Sequence, residues 1–216
     1  MDGEKILGFD TVSSICSLCI YDGEFHNFET PSNFGHAREL MPLMDRALRE
    51  VGYKLRDMDA IVVGLGPGSF TGIRIGLATA LGLARGAGLS CYGVNSLRSR
   101  SYGAIADIIV PMMDARRGNV YAASYGLYEK EPFNGAFSDY LEELRALNQD
   151  IVFIGEKLEA FKEEASPFRF VSPGPLAQGV IEAYLDGHDC KELAPIYLRE
   201  VEAKRRLEEK NANTGN

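Results

Sequence analysis

One stretch limits the folds open to this chain more than any other: Gly64-Leu-Gly-Pro-Gly-Ser-Phe-Thr-Gly-Ile-Arg-Ile-Gly76. It follows a short apolar run, Ala60 to Gly64, that reads as a buried strand. It opens into a segment of helical periodicity from Gly72 to Gly86. Strand, glycine turn and helix in that order belong to an α/β architecture, where the turn gathers backbone N–H groups at a helix start. A phosphate cradle is therefore the first hypothesis, and it meets two obstacles. The P-loop pattern needs a lysine after its last glycine, and no lysine occurs from Asp57 to Arg100. The dinucleotide pattern needs Gly-x-Gly-x-x-Gly, but the run begun by Gly66 and Gly68 ends on Thr71.

The helix is unusually slim. Gly72, Gly76, Ala80 and Ala84 recur every four residues, and Gly82 and Gly86 add further small positions. A helical glycine costs about 1 kcal/mol relative to alanine, so a close backbone approach is expected in return. Two readings stand. The small face packs inside the chain, against the helix His36–Val51 or a sheet, or it is a subunit interface. With different faces used, both hold at once.

The rest of the chain extends the α/β pattern. Ile6–Asp10, Ile15–Tyr21 and Glu24–Thr30 read as antiparallel strands, the last two joined at the turn Asp22-Gly23. His36–Val51 reads as a helix with Leu40, Leu43, Met44, Ala47, Leu48 and Val51 on one face. Leu89–Val94 is a strand and Ser96–Ala106 a helix. A second unit begins near Asp107: strands Ile108–Met113 and Val120–Tyr128, a helix Ser138–Leu147 capped by Ser138, a strand Ile151–Ile154, a helix Glu156–Glu164, a strand Phe168–Val171 and a helix Pro175–Leu185. Pro195–Arg199 is extended, Glu200–Lys210 is a charged helix, and Asn211–Asn216 is expected to be disordered. The two halves echo one another, which suggests a duplicated unit. The expected lobes are 1–106, completed by 195–210, and 107–194.

Composition excludes several classes. A net charge of −8 argues against a free-standing nucleic-acid binder, whose affinity comes from a basic face. No apolar run is long enough to span a bilayer, and no secretory leader is recognisable, so a reduced, cytoplasmic protein is expected. Cys16 and Cys19 form Cys-x-x-Cys, but within a strand their odd spacing sends the side chains to opposite faces, which suits neither a redox pair nor a zinc site.

The segment Gly66-Pro-Gly-Ser-Phe-Thr-Gly-Ile-Arg-Ile-Gly76 is similar to the signature of the TsaB/YeaZ family. Ile6-Leu-Gly-Phe-Asp-Thr11 with Ser17 to Gly23 resembles that family's opening hairpin, and His36 to Leu48 its first helix. Asp114-Ala-Arg-Arg-Gly-Asn-Val-Tyr121 resembles its D-A-R-R-x-x-V-Y strand pair, and Pro195-Ile-Tyr-Leu-Arg199 its closing P-x-Y-x-R. The resemblance runs from about Ile6 to Arg199. It implies an α/β fold of two actin-like (ASKHA, ribonuclease-H-like) lobes, with mixed sheets and flanking helices. It also implies a catalytic relative as partner: TsaD, which threonylcarbamoylates the adenosine following the anticodon in tRNA, with the ATPase TsaE joining them. On this reading the chain is a non-catalytic scaffold and activator that contacts tRNA only through the complex. Alone it forms a homodimer. No cofactor is bound tightly, and ATP or ADP is expected only at a subunit junction.

The implied interface, with TsaD or a second copy, comprises His36, Leu40, Leu43, Met44 and Ala47 of the first helix and Gly72, Arg74, Ile75, Gly76, Thr79, Ala80 and Leu83 of the second. Asp10, Thr11, Gly66, Gly68, Ser69 and Thr71 form a remnant of a nucleotide site. TsaD holds metal through an H-x-x-x-H that falls here on Val94-Asn-Ser-Leu-Arg-Ser-Arg100, placing Ser96 and Arg100 at the imidazole positions. Neither replaces a neutral imidazole, so no metal is expected.

Other readings remain. A small-molecule kinase or ATPase would use Asp10 and the Gly66–Gly72 turn to hold Mg-ATP, and a glycoprotease-like metallohydrolase would need a metal. Asp10 equally serves to cap the turn Thr11–Ser14. Asp114 reads as a local ion pair with Arg116 or Arg117. Ser69 and Thr71 lack a base, and His36 with Glu39 is explained by a helix start. Lys204, Arg205 and Arg206 sit among glutamates as a solvated charged face.

Overall fold

A computed structural model describes residues 3–32, 35–190 and 192–198. The expected helix Glu200–Lys210, its basic spot Lys204 to Arg206, the tail Asn211–Asn216 and Arg199 lie outside the described residues. Two mixed sheets form the core, one per lobe. The first takes β1 (Ile6–Asp10), β2 (Ile15–Tyr21), β3 (Phe25–Pro31), β4 (Ala60–Gly64) and β5 (Ser90–Val94), with helices α1 (His36–Val51) and α2 (Phe70–Ala87) between strands. A short helix, α3 (Ser96–Arg100), leads to the second: β6 (Ile108–Arg116), β7 (Asn119–Gly126), β8 (Lys130–Ala136), β9 (Ile151–Ile154) and β10 (Arg169–Val171), with α4 (Phe137–Arg145) and α5 (Glu159–Lys162). The chain then returns through α6 (Leu176–Leu185) to β11 (Asp189–Cys190), which pairs with β5 in the first sheet.

The duplication suggested by the sequence is visible in the strand order. The sheets run β11-β5-β4-β1-β2-β3 and β10-β9-β6-β7-β8. In each, the lead strand and the two that follow it form an antiparallel meander, and two parallel strands extend from the lead strand's other side, with β11 added antiparallel at the edge of the first sheet. β1 and β4 are central and buried along their whole length, which explains their unbroken apolar runs. Leu7 and Phe9 of β1 face the core under α1 and α2, while Ile6 faces Ala177, Val180 and Ile181 of α6. Cys16 and Cys19 divide between these same two cores, as their odd spacing requires.

Several expectations need correction. α3 stops at Arg100, short of Ala106, because the chain turns through Gly103 at φ 90°. Strand β8 has no alternating pattern and contains Pro132; an edge strand tolerates that, and pairing with β7 creates it. Ser138 lies inside α4, not at its cap, which is Ala136. The helix expected over Glu156–Glu164 shrinks to Glu159–Lys162, because Lys157 is left-handed (φ 56°) and Glu156 lies in the turn. α6, expected in the second lobe at 107–194, packs on the first sheet, since its apolar side is buried against β1 and β4.

Candidate functional site

The turns that follow β1, β4 and β5 meet at one point between the lobes. Asp10 ends β1 fully buried. Its Oδ1 accepts the amide of Val12 at 3.1 Å, so it does cap the turn, and its Oδ2 accepts the hydroxyl of Ser96 at 3.1 Å. Ser96 also accepts the Gly66 amide at 3.1 Å, while its own amide donates to the Gly66 carbonyl at 2.7 Å. Gly64 explains itself here: a Cβ would run into the Asp10 carboxylate and stand 2.8 Å from Ser96 Oγ. Asn95 caps α3 by accepting the amides of Leu97 (2.8 Å) and Arg98 (3.4 Å), which sets the helix axis and sends Arg100 inward.

Arg100 is the largest fully buried side chain in the protein's described residues. Its Nη1 donates to the Ser96 carbonyl at 2.7 Å and stands 3.8 Å from Asp10 Oδ2. Its Nε and Nη2 reach both oxygens of Glu156, at 3.2 and 3.3 Å, in the loop after β9. Burial works against the guanidinium charge, but Glu156 and Asp10 outweigh it and hold Arg100 above its ordinary value. Burial likewise pushes Glu156 up, and the charge and hydrogen bonds of Arg100 pull it further down, so it stays below the usual carboxylate range.

This arrangement decides what the expected nucleotide remnant can do. Asp10, Thr11 and Gly66 do come together, but Asp10 and Gly66 are engaged with Ser96 of α3 and the Thr11 hydroxyl with the Gly72 carbonyl of α2. Gly68 packs on the Val12 carbonyl, Ser69 is the cap of α2 and accepts the Gly72 amide at 3.2 Å, and the Ser69 amide donates to Val12. Thr71 is exposed. A divalent ion on Asp10 Oδ2 would stand beside the Arg100 guanidinium, so the residues present do not fit a metal. Among the described residues no three metal-ligating side chains come together. Asp114 forms the local pair expected, accepting the Arg116 amide at 2.7 Å with its side chain 3.9 Å from the guanidinium. His36 bonds the Ser13 carbonyl through Nε2 at 2.9 Å, so a helix-start role accounts for it.

The expected interface divides in two. His36, Leu40, Leu43, Met44 and Ala47 face the core under α1, and Gly72, Gly76 and Ala80 are buried under α2. Of the two readings of the slim face, packing within the chain is the one seen there: Gly72 and Gly76 lie against Thr11, whose hydroxyl donates to the Gly72 carbonyl at 2.7 Å. Ile75, Thr79 and Leu83 are half-buried at the flank, and Arg74 is exposed. The outward side of α2 carries a second small row, Ala78, Gly82 and Gly86, beside Leu81 at 42% exposure. A Cβ on Gly82 or Gly86 would meet nothing within 4 Å. Met41 of α1 is 48% exposed, and α1 packs beside α2. Sequence reasoning missed Glu156, Met41, Leu81 and Ala78. The four-residue spacing of Ala78, Gly82 and Gly86 was a signal for the outer row; nothing local marked Glu156.

No helix of the described residues is long and apolar enough to cross a membrane. The family model described as TsaD, tRNA N6-adenosine threonylcarbamoyltransferase, matches residues 32–214. The chain is 32% identical to the tRNA threonylcarbamoyladenosine biosynthesis protein TsaB of Escherichia coli (strain K12) over 171 residues, 74% of each chain. It is 28% identical to the TsaB of Bacillus subtilis (strain 168) over 92% of its own length and 96% of the relative's. A crystal structure from Pseudomonas aeruginosa, an uncharacterized protein with similarity to peptidase YEAZ, superimposes with a TM-score of 0.73 at 26% identity, covering 91% of this chain and all of that one.

Proposed function

We propose a scaffold role for this chain, which belongs to the TsaB/YeaZ family of tRNA threonylcarbamoyladenosine biosynthesis proteins. It docks the transferase TsaD, with TsaE, and holds it in an active arrangement without doing chemistry itself. One observation supports the non-catalytic part: Arg100 and Ser96 stand against Asp10, whose two oxygens are both engaged. A docked face is supported by the outward row Ala78, Gly82 and Gly86 with exposed Leu81 on α2. Small residues let a partner helix approach closely, and the flanking apolar side chains then become buried. The same face is open to a second copy, giving a homodimer that TsaD displaces. The acidic surface leaves tRNA contact to the partners, in the cytoplasm, and any ATP or ADP sits at a junction between subunits.

Reconstitution with TsaD, TsaE and tRNA tests this. Leu81→Glu and Ala78→Arg should leave the chain folded, abolish co-purification with TsaD and remove the threonylcarbamoyl nucleoside from the product tRNA. Full modification with both changes present would defeat the docking face. Calorimetry of the purified chain against Mg-ATP tests the other half: tight stoichiometric binding would favour a kinase or ATPase instead.

A further inference from the structure

We infer that Arg100 is a built-in bridging cation: its guanidinium joins Asp10 of the first lobe to Glu156 of the second and fixes the angle between the lobes with no ligand present. The chain crosses between lobes twice, at 101–107 and at 172–175. The crossings run side by side, since a Cβ on Gly103 would lie 3.9 Å from the Gly174 amide nitrogen, and Gly103 is left-handed (φ 90°). Two adjacent crossings that each contain a glycine make a hinge, free to rotate unless something spans the cleft beyond it. Arg100 spans it. The fork of its nitrogens on both oxygens of Glu156 fixes direction as well as distance. Lesser contacts restrain the same motion: Arg98 of α3 lies over the Tyr125 ring of β7 at 4.2 Å, Lys157 Nζ donates to Ser14 Oγ at 2.9 Å, and the Ser13 side chain bonds Glu156.

The charge is essential to this reading. Asp10 is fully buried and the Glu156 side chain only 18% exposed, so without the guanidinium two carboxylates would face one cleft with no ion-paired cation among the described residues. A positive charge at that position holds the two carboxylates to one another, and here a side chain supplies it. The inference concerns the isolated chain and stands apart from the identity of its partner.

The test is rescue by a free cation. Arg100→Ala should open the lobes: the radius of gyration from small-angle scattering rises, and amide hydrogen exchange at 101–107 and 172–175 quickens about tenfold or more. Millimolar methylguanidinium, which refills the vacated position, should restore both readings in Arg100→Ala and change neither in the wild type. Should Arg100→Ala fail to fold, Glu156→Gln decides, because it removes the charge of the second lobe's arm while keeping its volume; it should quicken the same amides. A folded Arg100→Ala with wild-type scattering and exchange overturns the inference. So does an opened Arg100→Ala that methylguanidinium cannot close, or a Glu156→Gln chain whose hinge amides exchange as slowly as before.

Discussion

Gly72 holds the carbonyl oxygen of Thr11 directly against the place where a Cβ would stand, and Thr11 answers by donating its hydroxyl to the Gly72 carbonyl at 2.7 Å. The glycines of α2 are therefore of two kinds. Gly72→Ala drives a methyl into a backbone oxygen that cannot move without displacing β1, and should cost roughly 3 kcal/mol or more. Gly82→Ala and Gly86→Ala meet nothing within 4 Å, and should each stabilise the isolated chain by about 1 kcal/mol through helix propensity. Denaturant unfolding of the three variants checks the contrast; equal effects would deny that α2 has an inner and an outer slim face.

How much of this was legible in the sequence follows from where each signal is stored. The strands β1, β4 and β9 and the helix α1 were readable because burial imposes a continuous or periodic apolar pattern on the residues themselves. β8 was not, because Lys130 to Ala136 becomes a strand only by pairing with β7. Ser96 and Arg100 were singled out as replacements for metal ligands, and they do meet Asp10. Glu156 was read as the first residue of a helix, because its role depends on Arg100, 56 residues away in sequence, and no local pattern records such a partner. The small residues of α2 were visible, but which row faces inward depends on how the helix is rotated about its axis, and that is set by Thr11 and Val63.

Cys16 and Cys19 should behave as buried hydrophobes. Burial pushes each thiol up to about 12, with the Asp10 charge adding to the effect at Cys16. At neutral pH neither forms a thiolate, and they face different cores, so they cannot pair without unfolding. With excess maleimide under native conditions, Cys91 and Cys190, which are partly exposed, should be labelled first. Cys16 and Cys19 should react only at the rate of global opening. Fast labelling of either would contradict the packing of β2.

Glu156 gives the protein an acid-sensitive element. Its folded value lies below that of the unfolded chain, so its contribution is fully present above the ordinary carboxylate range and is lost as pH falls through the lowered folded value. Stability should accordingly decline on acidification, and Glu156→Gln should flatten that decline. At neutral pH the variant should lose on the order of 2 kcal/mol, since among the described residues Arg100 keeps only Asp10 as counter-charge. Thermal unfolding followed across pH for both proteins is the measurement. An acid limb as steep in the variant as in the wild type would assign the sensitivity to other carboxylates.

The C-terminal segment is held at the glycine turn by a small stack that includes one of the expected interface residues. Ile196 donates its amide to the Leu65 carbonyl at 2.8 Å, and a Cβ on Gly66 would stand 2.9 Å from the Ile196 carbonyl oxygen. One residue on, Tyr197 stacks on Phe70 with ring centroids 4.8 Å apart, and Arg74 lies over the Phe70 ring at 3.8 Å while donating to the Tyr197 hydroxyl at 2.9 Å. Arg74 thus serves its own chain first. Tyr197→Ala removes the stack and leaves the guanidinium without its acceptor, at a cost of about 1 kcal/mol. The loss should be local, because the backbone bond to Leu65 is untouched and both rings are partly exposed. Limited proteolysis should therefore cut within 192–198 sooner in the variant, while the unfolding of the two lobes stays cooperative. Cleavage at the wild-type rate would mean that Leu65 and Gly66 hold the segment unaided, and would return Arg74 to the surface as a side chain free for a partner.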